Sequence, residues 1–276
     1  MKKHYLFLFI CTVLFSCSSS KKVRENVDFT EGWKFYLGDD SIAYNAQYDD
    51  AKWRILDLPH DWSIEADFSL KNPATPGGGA LPGGIGWYRK DFVVDKSDEG
   101  KNVYIDFDGI YWNSKVWING HLLGERPNGY ISFRYDLTPY IKVGEKNVIA
   151  VRVDNSKQPN SRWYSGSGIY RNVWLVTTNA LHVDHWGTYV TTPTVTRDNA
   201  EIKIETNIKN SSDLSQTFEL YSILIDKEGK EIARINNSES VGAAENVSMN
   251  QSLKVSNPIL WSIDLSLIHI LYNCNP

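Results

Sequence analysis

The chain has 276 residues, of which 42% are hydrophobic, 22% charged and 13% aromatic, and its formal net charge is −4. So much Trp, Tyr and Phe can bury enough apolar area to offset chain entropy, which excludes a disordered polymer, and the length allows one large domain or two of common size. The acidic balance argues against a dedicated nucleic-acid binder, which needs a basic field.

The N-terminus reads as an export signal. Lys2 and Lys3 precede the apolar run from Tyr5 to Phe15, which is too short to span a bilayer and has the shape of a signal-peptide core. Leu14-Phe15-Ser16-Cys17 then places an aliphatic residue three before a cysteine and a small residue just before it, and this resembles the bacterial lipoprotein box. The resemblance implies a signal over residues 1–17, acylation of Cys17, and an exported lipoprotein anchored at a periplasmic or outer-membrane face. The alternative is an ordinary signal peptide with an incidental cysteine. Cys11 leaves with the signal and Cys17 is consumed by lipid, so Cys274 is left alone and neither a disulfide framework nor a cysteine metal site is expected.

After a linker over 18–27 the body reads as strands. Short runs rich in β-branched and aromatic residues recur, among them 87–94, 102–107, 115–118, 148–153 and 173–176, with Gly, Asn, Asp and Pro between them. Asn119-Gly120 is a hairpin signal, since both residues tolerate the positive φ of a primed turn. Strands at about 8–12-residue spacing predict a sandwich or jelly roll. Near residue 180 the composition shifts from Trp, Tyr and Gly to plainer alternating strands such as 200–208 and 217–225, as expected of an immunoglobulin-like sandwich with one solvated face per sheet. The reading is all-β, with a first domain over 28–180 and a second over 181–276.

Seven segments, in order, carry a family resemblance: Phe29 to Phe35, Leu58-Pro59-His60-Asp61-Trp62, Gly86 to Phe92, Val116 to Gly120, Gly129 to Thr138, Val151 to Asn155, and Ser165 to Leu175. The series resembles the N-terminal part of family 2 glycoside hydrolases, the β-galactosidase and β-glucuronidase group, over about residues 28–264. The resemblance implies a jelly-roll sugar-binding domain, then an immunoglobulin-like sandwich, and after these a (β/α)8 barrel bearing an acid/base and a nucleophilic glutamate. Retaining chemistry of that kind needs two carboxylates about 5–5.5 Å apart with different pKa values. The residues after 180 are too few for a barrel of roughly 250 residues. No catalytic residue is therefore assigned, and the chain is expected to be the inactive front end of a retaining exo-glycosidase, most like a β-galactosidase. A carbohydrate-binding surface lipoprotein without catalysis is the competing reading. The implied partners are a glycan and the absent barrel of the same chain, with a membrane through the lipid, no nucleic acid and no cofactor.

Four side chains are candidates for the substrate's neighbourhood. Asp61 either accepts from a sugar hydroxyl or, with His60, holds its loop against the core, and the second role is preferred. The resemblance implies that the loop Asn160 to Tyr164 reaches toward the barrel mouth, with Ser161 and Arg162 as its polar groups. Arg162 contacts the sugar or forms an inter-domain ion pair. Trp163, with Trp112 and Trp186, is expected to be exposed, whereas Trp33, Trp87, Trp117 and Trp174 sit in strand motifs and are expected in the core. The glycine-rich stretch 76–84 lacks both the Gly-Lys-Ser/Thr ending and a following helix, so it is read as a flexible loop and not as a phosphate cradle. His182 and His185 have no third ligand, and no metal is expected. After Asp264 the sequence departs from the family pattern, which suggests a frame error or sequence junction and a second sandwich lacking its closing strand.

Overall fold

The computed structural model describes residues 23–226 and 228–260, together with the backbone of Tyr272 and Asn273. The signal, Cys17, Cys274 and nearly all of the tail from 265 lie outside the described residues. The first domain contains β1 (Arg24–Asp28), β2 (Trp33–Leu37), β3 (Arg54–Leu56), β4 (Gly84–Val93), β5 (Asn102–Phe107), β6 (Ser114–Ile118), β7 (His121–Arg126), β8 (Phe133–Asp136), β9 (Lys146–Asn155) and β10 (Val173–Thr178). The second contains β11 (Leu181–Val195), β12 (Asn199–Asn210), β13 (Gln216–Ile225), β14 (Glu231–Val241), β15 (Asn246–Ser256) and β16 (Tyr272–Asn273). The helical pieces among the described residues are 3-10 turns of three or four residues, and none of them is long or apolar enough to cross a membrane.

The first domain is a sandwich of a six-stranded sheet, ordered β3-β2-β4-β9-β6-β7, on a four-stranded sheet, ordered β1-β10-β5-β8. Alternation decides which side chains face inward. On β5, Val103, Ile105 and Phe107 meet Ile149, Val151 and Val153 of β9 in one core with Trp33, Phe35, Tyr88 and Ile169. On β4, Tyr88 points into that core while its neighbours Trp87 and Arg89 point to the opposite face. There the segment 38–53 folds over them and buries Trp87 with Ala43 and Ala150. Trp87 stacks on Trp117 with ring centroids 5.3 Å apart, and Tyr44 stacks on Trp117 in turn.

Strand β1 begins at Arg24, inside the stretch expected to be linker. It pairs with β10 in the register Arg24↔Thr178 to Asp28↔Trp174. It is a polar, mostly exposed edge strand, and so carries no hydrophobic alternation by which a sequence reading could find it.

The second domain packs the sheet β11-β12-β15 on the sheet β14-β13-β16. Its apolar core falls into two clusters, Ile202, Ile204, Leu224 and Leu253 in one, Ile208, Leu220 and Met249 in the other. Buried Gln251 accepts from Ser222 Oγ at 2.6 Å and donates to Leu220 O and Asn237 Oδ1, which satisfies a polar group in the interior. Strand β13 is paired with β16 at Ile223 and Leu224.

Arg89 is 1% exposed. Its Nε donates to Asp50 Oδ2 at 2.8 Å and its Nη1 to Ala43 O and Asn45 O, while Lys34 holds the other Asp50 oxygen. Removing one partner of such a pair leaves an uncompensated buried charge, a loss of about 3–5 kcal/mol. Asp50→Ala should therefore destabilise the first domain by about 3 kcal/mol in urea titrations followed by Trp fluorescence. A loss below about 0.5 kcal/mol would show that Asp50 does not compensate Arg89.

Candidate functional site

The loops at one end of the first sandwich are held by backbone pairing, with Trp62 and Ile169 packed into the core beneath them. His60 N donates to Ile169 O at 2.8 Å and Trp62 N to Ser167 O at 3.2 Å, so the His60-Asp61-Trp62 segment runs beside Ser167-Gly168-Ile169. This close approach requires glycine at 168. Its φ is +125°, and a Cβ there would lie 2.3 Å from Tyr88 Oη and 2.7 Å from His60 O.

Asp61 caps the 3-10 turn Trp62–Glu65. Its Oδ1 accepts from Ser63 N at 3.0 Å and from Ser167 N at 2.8 Å, and its Oδ2 accepts from the Tyr164 hydroxyl. Burial, then the bond to Asp61, pushes the Tyr164 phenol well above its ordinary pKa, so it stays protonated as the donor. Asp61 thus bonds its own turn and the 164–167 segment.

His60 is buried beside it. Its Nδ1 lies 2.7 Å from Tyr88 Oη, and its Nε2 lies 3.0 Å from Arg54 Nη2 and 3.2 Å from Glu65 Oε1. Burial lowers the imidazole pKa against the opposing pull of Glu65. For Glu65, burial favours the neutral acid but is outweighed by Arg54 and His60, and its pKa falls.

Asn155 organises the other loop. Its Nδ2 reaches Gly166 O and Ser167 Oγ, and its Oδ1 accepts from Gln158 Nε2 and Asn160 Nδ2. Ser161 lies within this loop, its Oγ donating to Trp163 O and lying 2.9 Å from Ser165 Oγ. Trp163 is 61% exposed, with its Nε1 donating to Tyr130 Oη at 3.3 Å. Arg162 is exposed and forms no ion pair among the described residues.

Ser63, Leu81, Pro82, Asn155, Gln158, Asn160, Trp163 and Tyr164 line a small pocket with room for one water. The glycine-rich stretch borders it. No helix follows that stretch: a 3-10 turn at Pro76–Gly78 leads into β4, and a Cβ on Gly79 would meet the Tyr164 ring at 3.1 Å.

The structure thus brings Asp61, Ser161 and Trp163 to one end of the sandwich, with the exposed Arg162 between Ser161 and Trp163 in sequence. The sequence reading gave no role to Asn155, Gln158 or Tyr164, although Asn155 and Tyr164 lie in segments it singled out, because their importance comes from loop closure. Of the tryptophans expected in the core, Trp33 and Trp87 are buried, while Trp117 and Trp174 are half-buried. Trp112 is not exposed as expected: it is half-buried and stacks on Tyr111 with ring planes 13° apart. No group of three His, Cys, Asp or Glu that could hold a metal occurs among the described residues.

Comparison with known proteins gives two family-model matches: the sugar-binding domain of glycosyl hydrolases family 2 over residues 23–179, and a second glycosyl hydrolases family 2 model over 181–267. The β-galactosidase BoGH2A of Bacteroides ovatus is 54% identical over 258 residues, a match covering 93% of this chain and 30% of that protein. A β-glucuronidase of Formosa agariphila is 31% identical over 86% of this chain and 26% of its own length. The crystal structure of a family 2 glycosyl hydrolase from Bacteroides cellulosilyticus superposes with a TM-score of 0.83 at 38% identity, over 87% of this chain and 32% of that one. The chain spans less than a third of the length of each of these two relatives.

Asp61→Ala removes the cap of a turn, about 1 kcal/mol, and leaves the Ser167 amide without its acceptor, a further 1–3 kcal/mol. Trypsin should then cut at Lys157 or Arg162 at least several-fold faster than in the parent chain, read by mass spectrometry of the released peptides. Equal cleavage rates would mean that the carboxylate does not hold the loop.

Proposed function

The chain belongs to glycosyl hydrolase family 2, and we propose that it is the substrate-facing front end of an exported, retaining exo-glycosidase of β-galactosidase type. The observation that carries this reading is the pair of family matches, which together run from residue 23 to 267 in the family's domain order. The β-galactosidase named above, at 54% identity, supports galactose as the sugar. The described domains supply a rigid frame whose loops present Trp163, Arg162 and Ser161 at one end. The carboxylate pair needed for double displacement would come from the further length that the relatives possess.

In this reading the chain's own groups bind and orient without transferring a proton. Trp163 offers an apolar face to a pyranose ring, and Arg162 offers guanidinium donors to its hydroxyls. Exposed Trp163 also favours a second reading, sugar binding without hydrolysis. Hydrolysis of 4-nitrophenyl β-galactoside separates the two. A full-length protein continuing this chain should turn the substrate over, residues 18–276 alone should not, and Arg162→Ala in the full-length protein should raise KM about tenfold, equivalent to about 1.4 kcal/mol of binding. Turnover by residues 18–276 that is abolished by an acid-to-amide change within them would refute this assignment of roles, and a full-length protein inert toward aryl β-galactosides, β-glucuronides and β-mannosides would favour binding alone.

We further propose lipid anchoring through Cys17, supported by the Leu14-Phe15-Ser16-Cys17 sequence after a short apolar run. Each buried methylene contributes roughly 0.8 kcal/mol, so a multiply acylated cysteine holds a soluble domain at a membrane. Cys17→Ala should move the protein to the soluble fraction or leave it unprocessed. Unchanged membrane fractionation, with no lipid mass on the N-terminal peptide, would reject the anchor.

A further inference from the structure

Strand β11 contains a feature that the loop site does not use. Its pairing with β12 runs Leu181↔Asn210, His182↔Lys209 and Val183↔Ile208, then resumes only at Thr188↔Thr206. Four residues, Asp184 to Gly187, therefore bulge out opposite the single Asn207. The bulge closes tightly on itself, because a Cβ on Gly187 would lie 2.9 Å from both Asn207 O and Asp184 O. At its crest stands Trp186, 75% exposed and at φ +52°. A bulky side chain in that region is an outlier, and such strain tends to persist where the surrounding structure enforces it for a purpose.

The indole is backed on one face. The His185 ring stacks on it at 4.5 Å with planes 24° apart, and Asp184 Oδ1 accepts from the His185 amide at 2.8 Å. Behind the bulge lies the junction with the first domain. Arg24 donates to Val183 O, Ser211 Oγ donates to Asn102 Oδ1 at 2.9 Å, and Arg134 pairs with Asp106 through two bonds of 2.6 and 2.7 Å. The ring is thus presented by a packed base rather than by a loose loop.

An exposed ring in this setting fits few ligands. Asp184 and His185 beside it are polar, and one indole cannot bury the roughly 800 Å2 per partner of a standard protein interface. A flat apolar face with hydrogen-bonding groups at its rim does suit a pyranose, which stacks its C–H face and offers hydroxyls at its edge. We propose that Trp186 is the stacking platform of a second glycan site, separate from the 156–166 loop, which holds a hexopyranose of a polymeric glycan at the junction of the two domains. The proposal rests on the reading that this chain handles glycans, but it requires no hydrolysis.

The test is affinity electrophoresis of residues 18–276 through native gels containing soluble β-1,4-galactan or galactomannan. At least one polysaccharide should retard the chain. Trp186→Ala should weaken retardation at least tenfold, Trp186→Tyr should keep most of it, and Trp163→Ala should keep it as well, with circular dichroism verifying the fold of each variant. If Trp186→Ala fails to fold, retention by Trp186→Tyr together with loss in Trp186→Ser supports the site. Retardation that survives removal of the indole, that is lost only in Trp163→Ala, or that is absent from the parent chain in both gels overturns it. A full-length protein that cleaves aryl galactosides while residues 18–276 pass unretarded would remove this site and leave the family reading standing.

Discussion

The carboxylate of Asp61 is the point on which the loops at one end of the first domain depend. It accepts from the Ser63 amide in its own turn, from the Ser167 amide more than a hundred residues later in the chain, and from the Tyr164 hydroxyl. Loops cannot satisfy their backbone groups by a ladder of their own, so an acceptor in the right place substitutes for one. A charged acceptor forms bonds roughly twice as strong as a neutral one, which suits a carboxylate to the task. Asn155 does the same from the other side with a neutral amide, reaching Gly166, Ser167, Gln158 and Asn160. Order in the 156–168 region thus follows from two polar side chains, Asn155 at the end of β9 and Asp61 at the cap of a 3-10 turn.

That arrangement explains the spacing of small residues in Ser165-Gly166-Ser167-Gly168. Gly166 and Gly168 have positive φ, and side chains there would run into Asp61 and into Tyr88 with the His60 carbonyl, respectively. The two serines point their hydroxyls at Ser161 and at Ser63 and Asn155. Polar bonding fixes the backbone, and Trp163 and Arg162 are left free to face outward. Preorganisation of this kind lowers the entropic cost of ordering a binding loop when a ligand arrives.

The sheet-forming runs were legible because a sandwich strand announces itself by alternation. Val103, Ile105 and Phe107, or Ile202, Ile204 and Ile208, need no further context. Strand β1 was illegible for the converse reason: Arg24-Glu25-Asn26 at an exposed edge carries no apolar pattern. Trp112 was expected at the surface, yet it is half-buried and stacks on Tyr111, whose backbone bridges to Gly168. The family resemblance pointed to Asp61, Ser161, Arg162 and Trp163, but not to what each would touch. Partners such as Tyr164 for Asp61 are defined by loop closure across long sequence separations, which no local pattern encodes.

Strand β5 shows how one short sequence settles both domains at once. Its inward residues, Val103, Ile105 and Phe107, build the first core. Its outward residues form the junction: Asn102 bonds Ser211, Tyr104 lies 6.4 Å from the His182 ring, and Asp106 grips Arg134, whose guanidinium lies over Tyr104 at 4.7 Å. Because side chains repeat every two residues, a one-residue slip of β5 would turn the polar set into the core and the apolar set toward the second domain. Register is therefore specified from both faces, each penalising the error that the other would tolerate. The bulge bearing Trp186 begins immediately after Val183, whose carbonyl is held by Arg24 from this same junction. The pairing of β5 inside the first domain thus helps to set where the second domain sits and where the indole of Trp186 is presented.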